Sequence, residues 1–236
     1  MEFPERMAFE GFLLTQQLLA SVLVGYLLGS VPFAHLAARL KGVDIFKTGN
    51  RRAGTANVFW NVSRKIGVLV LIADVAKGSL AVTIGGLLGL QGPLLVLAGG
   101  ASVVGHWKSV FTGFKGGDGM ATLMGVTLTL TPVLALAGIA AGFVTVVLSW
   151  KSHLRSAGGI AACFTVLTAL SIFFPEQRDL VFSLTALAAL VLCHNLVVRR
   201  RLAGATPPDD LDLDRRLDTD DDDDSDLRHT ATRNHQ

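Results

Sequence analysis

Four stretches of the 236-residue chain combine residue types able to handle a small anion. The first is Lys47-Thr48-Gly49-Asn50-Arg51-Arg52-Ala53-Gly54-Thr55-Ala56-Asn57. Its small residues let backbone approach a ligand closely, Thr and Asn offer hydroxyl and amide donors, and its cations attract phosphate or carboxylate. A basic loop beside a membrane span is also an ordinary topology signal, so this stretch alone is weak. The second is Gly105-His106-Trp107, then Phe114-Lys115-Gly116-Gly117-Asp118-Gly119 running into a predicted helix at Met120. Three glycines and a lysine before a helix N-terminus suit an anion-binding nest, although Asp118 opposes it and a flexible turn is the equal alternative. The third is Asp74 and Lys77, which share a helix face within an apolar segment. Ionisable groups at that depth are costly, so they form either a structural ion pair or a ligand-facing lysine. The fourth is His194-Asn195 ahead of Arg199-Arg200-Arg201. His35 and His153 are assigned no role. Cys163 and Cys193 lie in apolar runs without ligand spacing, so buried inert thiols are expected, with no metal and no cofactor.

The elements that position these groups follow from hydropathy. Half of the residues are hydrophobic and mean hydropathy is +0.49, values of the membrane class. A crossing helix needs about 20 apolar residues. Candidate spans cover about 12–40, 66–90, 93–107, two short helices within 119–150 divided at Thr131-Pro132, 157–174 and 179–198. The fold class is therefore all-α, a polytopic membrane protein of about seven transmembrane helices. Basic residues cluster at 41–65, at Lys108 and Lys115, at Lys151 and Arg155, and at Arg199–Arg201, all on one face of a seven-span arrangement. The positive-inside rule then puts the N-terminus outside and the C-terminus in the cytoplasm. No cleavable signal segment is expected at the N-terminus. Residues 1–204 form the membrane domain. Residues 205–236, with eleven aspartates against four arginines, are expected to be an acidic disordered cytoplasmic tail. Nucleic acid is not an expected partner, because the basic residues flank spans and the tail is acidic.

Taken in order, the motifs point to one family. They are Gly29-Ser30-Val31-Pro32-Phe33, the Gly49-Asn50 to Gly54-Thr55-Ala56-Asn57-Val58 loop, Asp74-Val75-Ala76-Lys77-Gly78, and Gly105-His106 followed by Phe114-Lys115-Gly116-Gly117-Asp118-Gly119-Met120-Ala121-Thr122. The set resembles the PlsY-type membrane glycerol-3-phosphate acyltransferases over about residues 12–204. The resemblance implies transfer of a fatty acyl group from acyl phosphate to the 1-hydroxyl of glycerol 3-phosphate, giving lysophosphatidic acid and phosphate for phospholipid synthesis at the cell inner membrane. It implies catalytic positions at Thr48, Asn50, His106 and His194. It implies substrate contacts at Gly49, Thr55, Asn57, Lys77, Lys115, Gly116, Gly117 and Gly119, with membrane lipid as the surrounding partner.

The chain departs from the family pattern at several places. Thr48 replaces a serine, the asparagine loop is about two residues longer, and Trp60 stands where an arginine is expected. Asp118 replaces the second lysine of Lys-Gly-Gly-Lys-Gly, Ser109 replaces a proline, and Val197 replaces the asparagine of His-x-x-Asn, with Asn195 close by. These departures keep a second reading open, a diverged paralog with another donor or acceptor or without catalysis. A small transporter is a third reading, opposed by the clustering of polar motifs on one face.

Overall fold

The computed structural model describes residues 3–149 and 155–204, and these are helical with short connections. The helices are α1 (Phe3–Ser30), α2 (Phe33–Arg39), α3 (Thr55–Asn61), α4 (Arg64–Leu87), α5 (Leu95–Trp107), α6 (Met120–Leu130), α7 (Pro132–Leu148), α8 (Arg155–Leu170) and α9 (Arg178–Gly204). The described residues up to Asn195 form one compact unit. A second begins at Leu196, and its described part is the helical stretch to Gly204. The expected tail, His153 and Lys151 lie outside the described residues, as does the side chain of Arg155.

Among the described residues, four apolar stretches are long enough to cross a membrane: Glu5–Arg39, Arg64–Leu87, Gly92–Thr112 and Pro175–Arg201. Met120–Leu130, Pro132–Leu148 and Ser156–Leu170 are shorter apolar helices. The surface is inverted relative to a water-soluble protein. Phe12, Leu19, Leu69, Ile72, Leu136, Phe143, Phe173 and Phe182 are exposed, while Ser21, Ser102, Thr122, Thr127 and Thr131 are buried. Apolar side chains facing outward and small polar ones facing inward suit a hydrocarbon solvent, in which packing and internal hydrogen bonds hold helices together.

Proline and glycine set the breaks and the close approaches. Pro32 has no N–H, and the chain breaks between α1 and α2 at Val31-Pro32. The expected division at Thr131-Pro132 is present: Thr131 ends α6, and Pro132 opens α7, where a missing N–H costs nothing. The first apolar helix starts at Phe3, nine residues earlier than hydropathy places it. Residues 55–61, read as loop from composition, are helical as α3. A β-carbon at Gly29 would lie 1.9 Å from the Ser102 carbonyl oxygen, and one at Gly105 would lie 2.2 Å from that of Tyr26. Backbone-to-backbone contact of this kind joins α1 to α5. Gly78 meets the Thr122 carbonyl and Gly125 meets that of Val75 in the same way, joining α4 to α6. Cys163 is buried in the main core beside Phe164 and Leu167, as expected, whereas Cys193 is exposed on α9.

Gly29→Val should overfill the α1–α5 seam. We expect a loss of ~1–3 kcal/mol, seen as a lower thermal midpoint in detergent. Gly11→Val, where a β-carbon meets nothing within 4 Å, should leave the midpoint nearly unchanged.

Candidate active site

The polar loops converge at one end of the bundle, around a buried charge. Asp74 and Lys77 are 1% and 3% exposed. Lys77 Nζ is 2.8 Å from Asp74 Oδ1, an ion pair lying off the hydrogen-bond line. It is also 2.7 Å from His106 Nδ1 and donates to the Val31 carbonyl at 3.3 Å. An ammonium group can only donate, so His106 Nδ1 accepts and the imidazole proton sits on Nε2. The α1–α2 break gives Val31 its place in this set. The Thr55 hydroxyl lies 3.5 Å from Asp74 Oδ2 at the start of α3. Of the two readings of Asp74 and Lys77, the geometry gives the ion pair, and the lysine also lines a cleft.

That cleft is lined by Val31, Pro32, Asp74, Lys77, His106 and Ser109, with Lys115 and Gly116 at its edge. Its volume of about 10 Å³ matches one water molecule. Four of the expected site residues meet here: Lys77, His106, Lys115 and Gly116. Gly116 and Gly117 are required by packing, since β-carbons would lie 2.0 Å from the His106 carbonyl and 2.2 Å from His106 Nε2 respectively.

The remaining expected residues shape the surrounding loops. Asn57 is buried, and its Nδ2 faces the carbonyls of Ile45, Thr48 and Arg52 at 2.9–3.2 Å. Its Oδ1 accepts from Asn61. Gly49, at φ +57°, packs against Asn57 and Asn61. Thr48 donates to the Asp44 carbonyl, and Asn50 Oδ1 accepts from the Arg52 N–H. Gly119, at φ +77°, lies beneath Trp107. His194 stacks on Trp107, with ring centroids 4.0 Å apart, away from the cleft lining.

Two amides of the glycine segment and the helix that follows it are committed within the protein. The Gly117 N–H donates to the His106 carbonyl, and the Met120 N–H at the head of α6 donates to Asp118 Oδ1. Asp118 Oδ1 therefore takes the place at the helix terminus that a ligand oxygen would need. Two groups left out of the expected site residues complete this corner. Arg52 Nη1 donates to Asn195 Oδ1 at 2.9 Å, and Asn195 Nδ2 donates to the Asp118 carbonyl at 3.0 Å, which also accepts from Trp107 Nε1. Ala53 N–H donates to the Gly116 carbonyl, so three distant segments are tied together. Loop length was the available signal for Arg52. The proximity of Asn195 to the expected asparagine position was the signal for the other. Ser109, in the place of an expected proline, donates to the Ser30 carbonyl and accepts from the Phe111 N–H.

A second, apolar groove of about 370 Å³ opens between α3, α4, α6, α7 and α8. Phe59, Trp60, Ala121, Met124, Ile139 and Phe143 are among its walls, and Thr55, Asp74 and Asp118 lie at its polar end. Trp60 is thus a wall of the groove and not part of the cleft.

The glycerol-3-phosphate acyltransferase family profile matches residues 19–204. A glycerol-3-phosphate acyltransferase of Roseiflexus sp. (strain RS-1) is 38% identical over 189 residues, covering 79% of this chain and 92% of the relative. The chain belongs to the glycerol-3-phosphate acyltransferase family. Glycerol-3-phosphate acyltransferase 1 of Deinococcus radiodurans is 36% identical over 194 residues, covering 81% of this chain and 95% of the relative. The fold is similar to the crystal structure of PlsY, an integral membrane glycerol 3-phosphate acyltransferase. Its glycerol 3-phosphate form has a TM-score of 0.66 at 32% identity, covering 79% of this chain and 92% of PlsY. The lysophosphatidic acid form of PlsY gives a TM-score of 0.64. The present acyltransferase-family chain is accordingly a multi-pass membrane protein.

Asp118 is half-buried and lines the groove, and its carboxyl accepts from the Met120 N–H. Burial holds that carboxyl above the usual carboxylate range, against the opposing pull of the Met120 N–H and Arg52. The fold therefore favours the neutral form. That contribution to stability is complete below about pH 4 and is lost as pH rises through the raised native value. Asp118→Asn keeps an acceptor for Met120 and cannot ionise. Its thermal midpoint should exceed the parent's at pH 8, with the gap closing towards pH 4. A gap independent of pH would contradict this account.

Proposed function

We infer that this protein transfers a fatty acyl group from acyl phosphate to the 1-hydroxyl of glycerol 3-phosphate at the cell inner membrane. The products are lysophosphatidic acid and inorganic phosphate. One observation carries the reading: Asp74 lines both the apolar groove and the polar cleft. An acyl phosphate has the same two parts, a hydrocarbon chain and a phosphate, joined at the reacting carbonyl. The groove suits the first, and Lys77, His106 and Lys115 suit the second. The relatives' names and the two ligand forms of PlsY support the same assignment.

The donor is already activated, so the protein need only hold and polarise it. The acceptor hydroxyl oxygen attacks the carbonyl carbon. The new ester bond forms as the bond from that carbon to the phosphate oxygen breaks. Phosphate departs with the electron pair and takes up the hydroxyl proton. In this reading His106 offers its Nε2–H, Lys77 fixes the His106 tautomer and adds positive charge, and Lys115 with Gly116 meets the phosphate from the loop. Thr55 and Asn57, with Thr48, Gly49 and Asn50, keep the facing loop in place, while Gly117 and Gly119 let the second loop lie close. His194 braces Trp107. The cleft holds only about one water, so substrate entry requires the Lys115 loop to part from it.

The topology that goes with this has seven crossings, an external N-terminus and a cytoplasmic C-terminus. Residues 1–204 form the acyltransferase domain and 205–236 an acidic cytoplasmic tail. The basic clusters flanking the converged loops support this orientation.

A second reading, a family member with a changed donor, is favoured by Asp118. Asp118 lies with Asp74 at the polar end of the groove and brings no cation there to meet a dianionic phosphate. Supplying an acyl thioester in place of acyl phosphate separates the two readings.

Purified protein given acyl phosphate and glycerol 3-phosphate should release inorganic phosphate. Lys77→Ala should lower the rate by about 100-fold or more. The exposed Lys115, changed to Ala, should lower it by roughly tenfold with the fold intact. No release above the Lys77→Ala background would refute the assignment. Ala121→Phe, which narrows the groove, should slow long-chain donors more than short-chain ones. Equal slowing would remove the groove from the reading.

A further inference from the structure

Beside the closed cleft lies a larger, polar basin of about 520 Å³. It is formed by α2, the turn that follows it and the 109–116 loop, and its lining includes His35, Arg39, Asp44, Phe46, Thr112 and Lys115. Four of these are titratable or charged: Arg39 and Lys115 are cationic, Asp44 is anionic, and His35 adds an imidazole. Asp44 Oδ1 already accepts from the Phe46 N–H, which occupies part of the negative end. His35 Nδ1 is buried and has no hydrogen-bond partner, and its ring packs on Phe46. Lys115 Nζ lies 5.9 Å from the centre of the same Phe46 ring. Lys115 is shared: it lines the basin and the inner cleft.

We propose that this basin is an entry vestibule for the water-soluble phosphate monoester acceptor, with Arg39 and His35 as binding residues that hand it to Lys115. The proposal rests on the acyltransferase reading. The inner cleft has room for about one water and cannot hold glycerol 3-phosphate as it stands. The basin is large enough for it, carries the complementary charge and ends on a lysine that reaches the cleft. The acyl donor approaches from the apolar groove, on the far side of Asp74, so the two substrates arrive by separate routes. A cationic vestibule raises the local concentration of an anion and accelerates its capture, an effect that salt screens.

Arg39→Glu tests this in the full chain. The KM for glycerol 3-phosphate should rise about tenfold, with kcat and the KM for acyl phosphate held within about twofold. The parent's KM should itself climb with ionic strength, and that dependence should weaken in the variant. Arg39→Lys should restore most of the parent's behaviour. An unchanged KM for glycerol 3-phosphate, or equal rises in both KM values, would overturn the vestibule. Equilibrium binding of labelled glycerol 3-phosphate without any donor keeps the two claims apart. Parent binding that Arg39→Glu weakens, without turnover, would count against the acyltransferase reading and leave the vestibule standing. Turnover with binding indifferent to Arg39→Glu would do the reverse.

Discussion

A lysine held inside an apolar helix bundle must be compensated, and much of the architecture around α4 follows from that constraint. Lys77 is matched by Asp74 one turn earlier on its own helix, by His106 on α5 and by a carbonyl at the broken end of α1. Removing one partner from such a group typically costs ~3–5 kcal/mol, because the remaining charge stays buried. The Pro32 break is part of this arrangement, since an unbroken helix would commit the Val31 carbonyl elsewhere. Three separate elements thus converge on one ammonium group, and the cleft forms where they meet.

Glycine makes the convergence possible. The seams between α1 and α5 and between α4 and α6 bring backbone against backbone at Gly29, Gly105, Gly78 and Gly125. Lipid gives little hydrophobic drive for helices to associate, so close contact and buried hydroxyl groups supply the cohesion. The same economy of side chain lets Gly116 and Gly117 lie on His106. The glycine-rich loop is then a packing device first, with the Gly117 amide directed at the His106 carbonyl and the Met120 amide at the Asp118 carboxyl group.

Much of this was legible in the sequence. Apolar segments gave the helices, and Thr131-Pro132 gave the break between α6 and α7. Asp74 and Lys77 were readable as a pair because their spacing fixes a shared face. Composition could not distinguish α3 from a loop, because its Asn57 and Thr55 are held by tertiary partners that no local pattern reveals. Asp118 read as a lost cation, and in the structure it caps α6 and anchors Trp107 and Asn195 through its carbonyl. His35 carried no signal at all, because its neighbours in the basin come from segments remote in sequence. Hydropathy can place a helix. It cannot say which polar groups from different helices will share a cavity.

The groove between α3, α4, α6, α7 and α8 has a kinetic corollary. A fatty chain lodged there remains in a hydrocarbon-like setting, whereas its glycerol partner is drawn from water. The two reactants are then counted on different scales, one as a mole fraction of the bilayer and the other as a molarity. Diluting the lipid phase with inert phospholipid would depress turnover while the aqueous composition stayed constant, and the membrane itself would act as a reservoir that meters the enzyme.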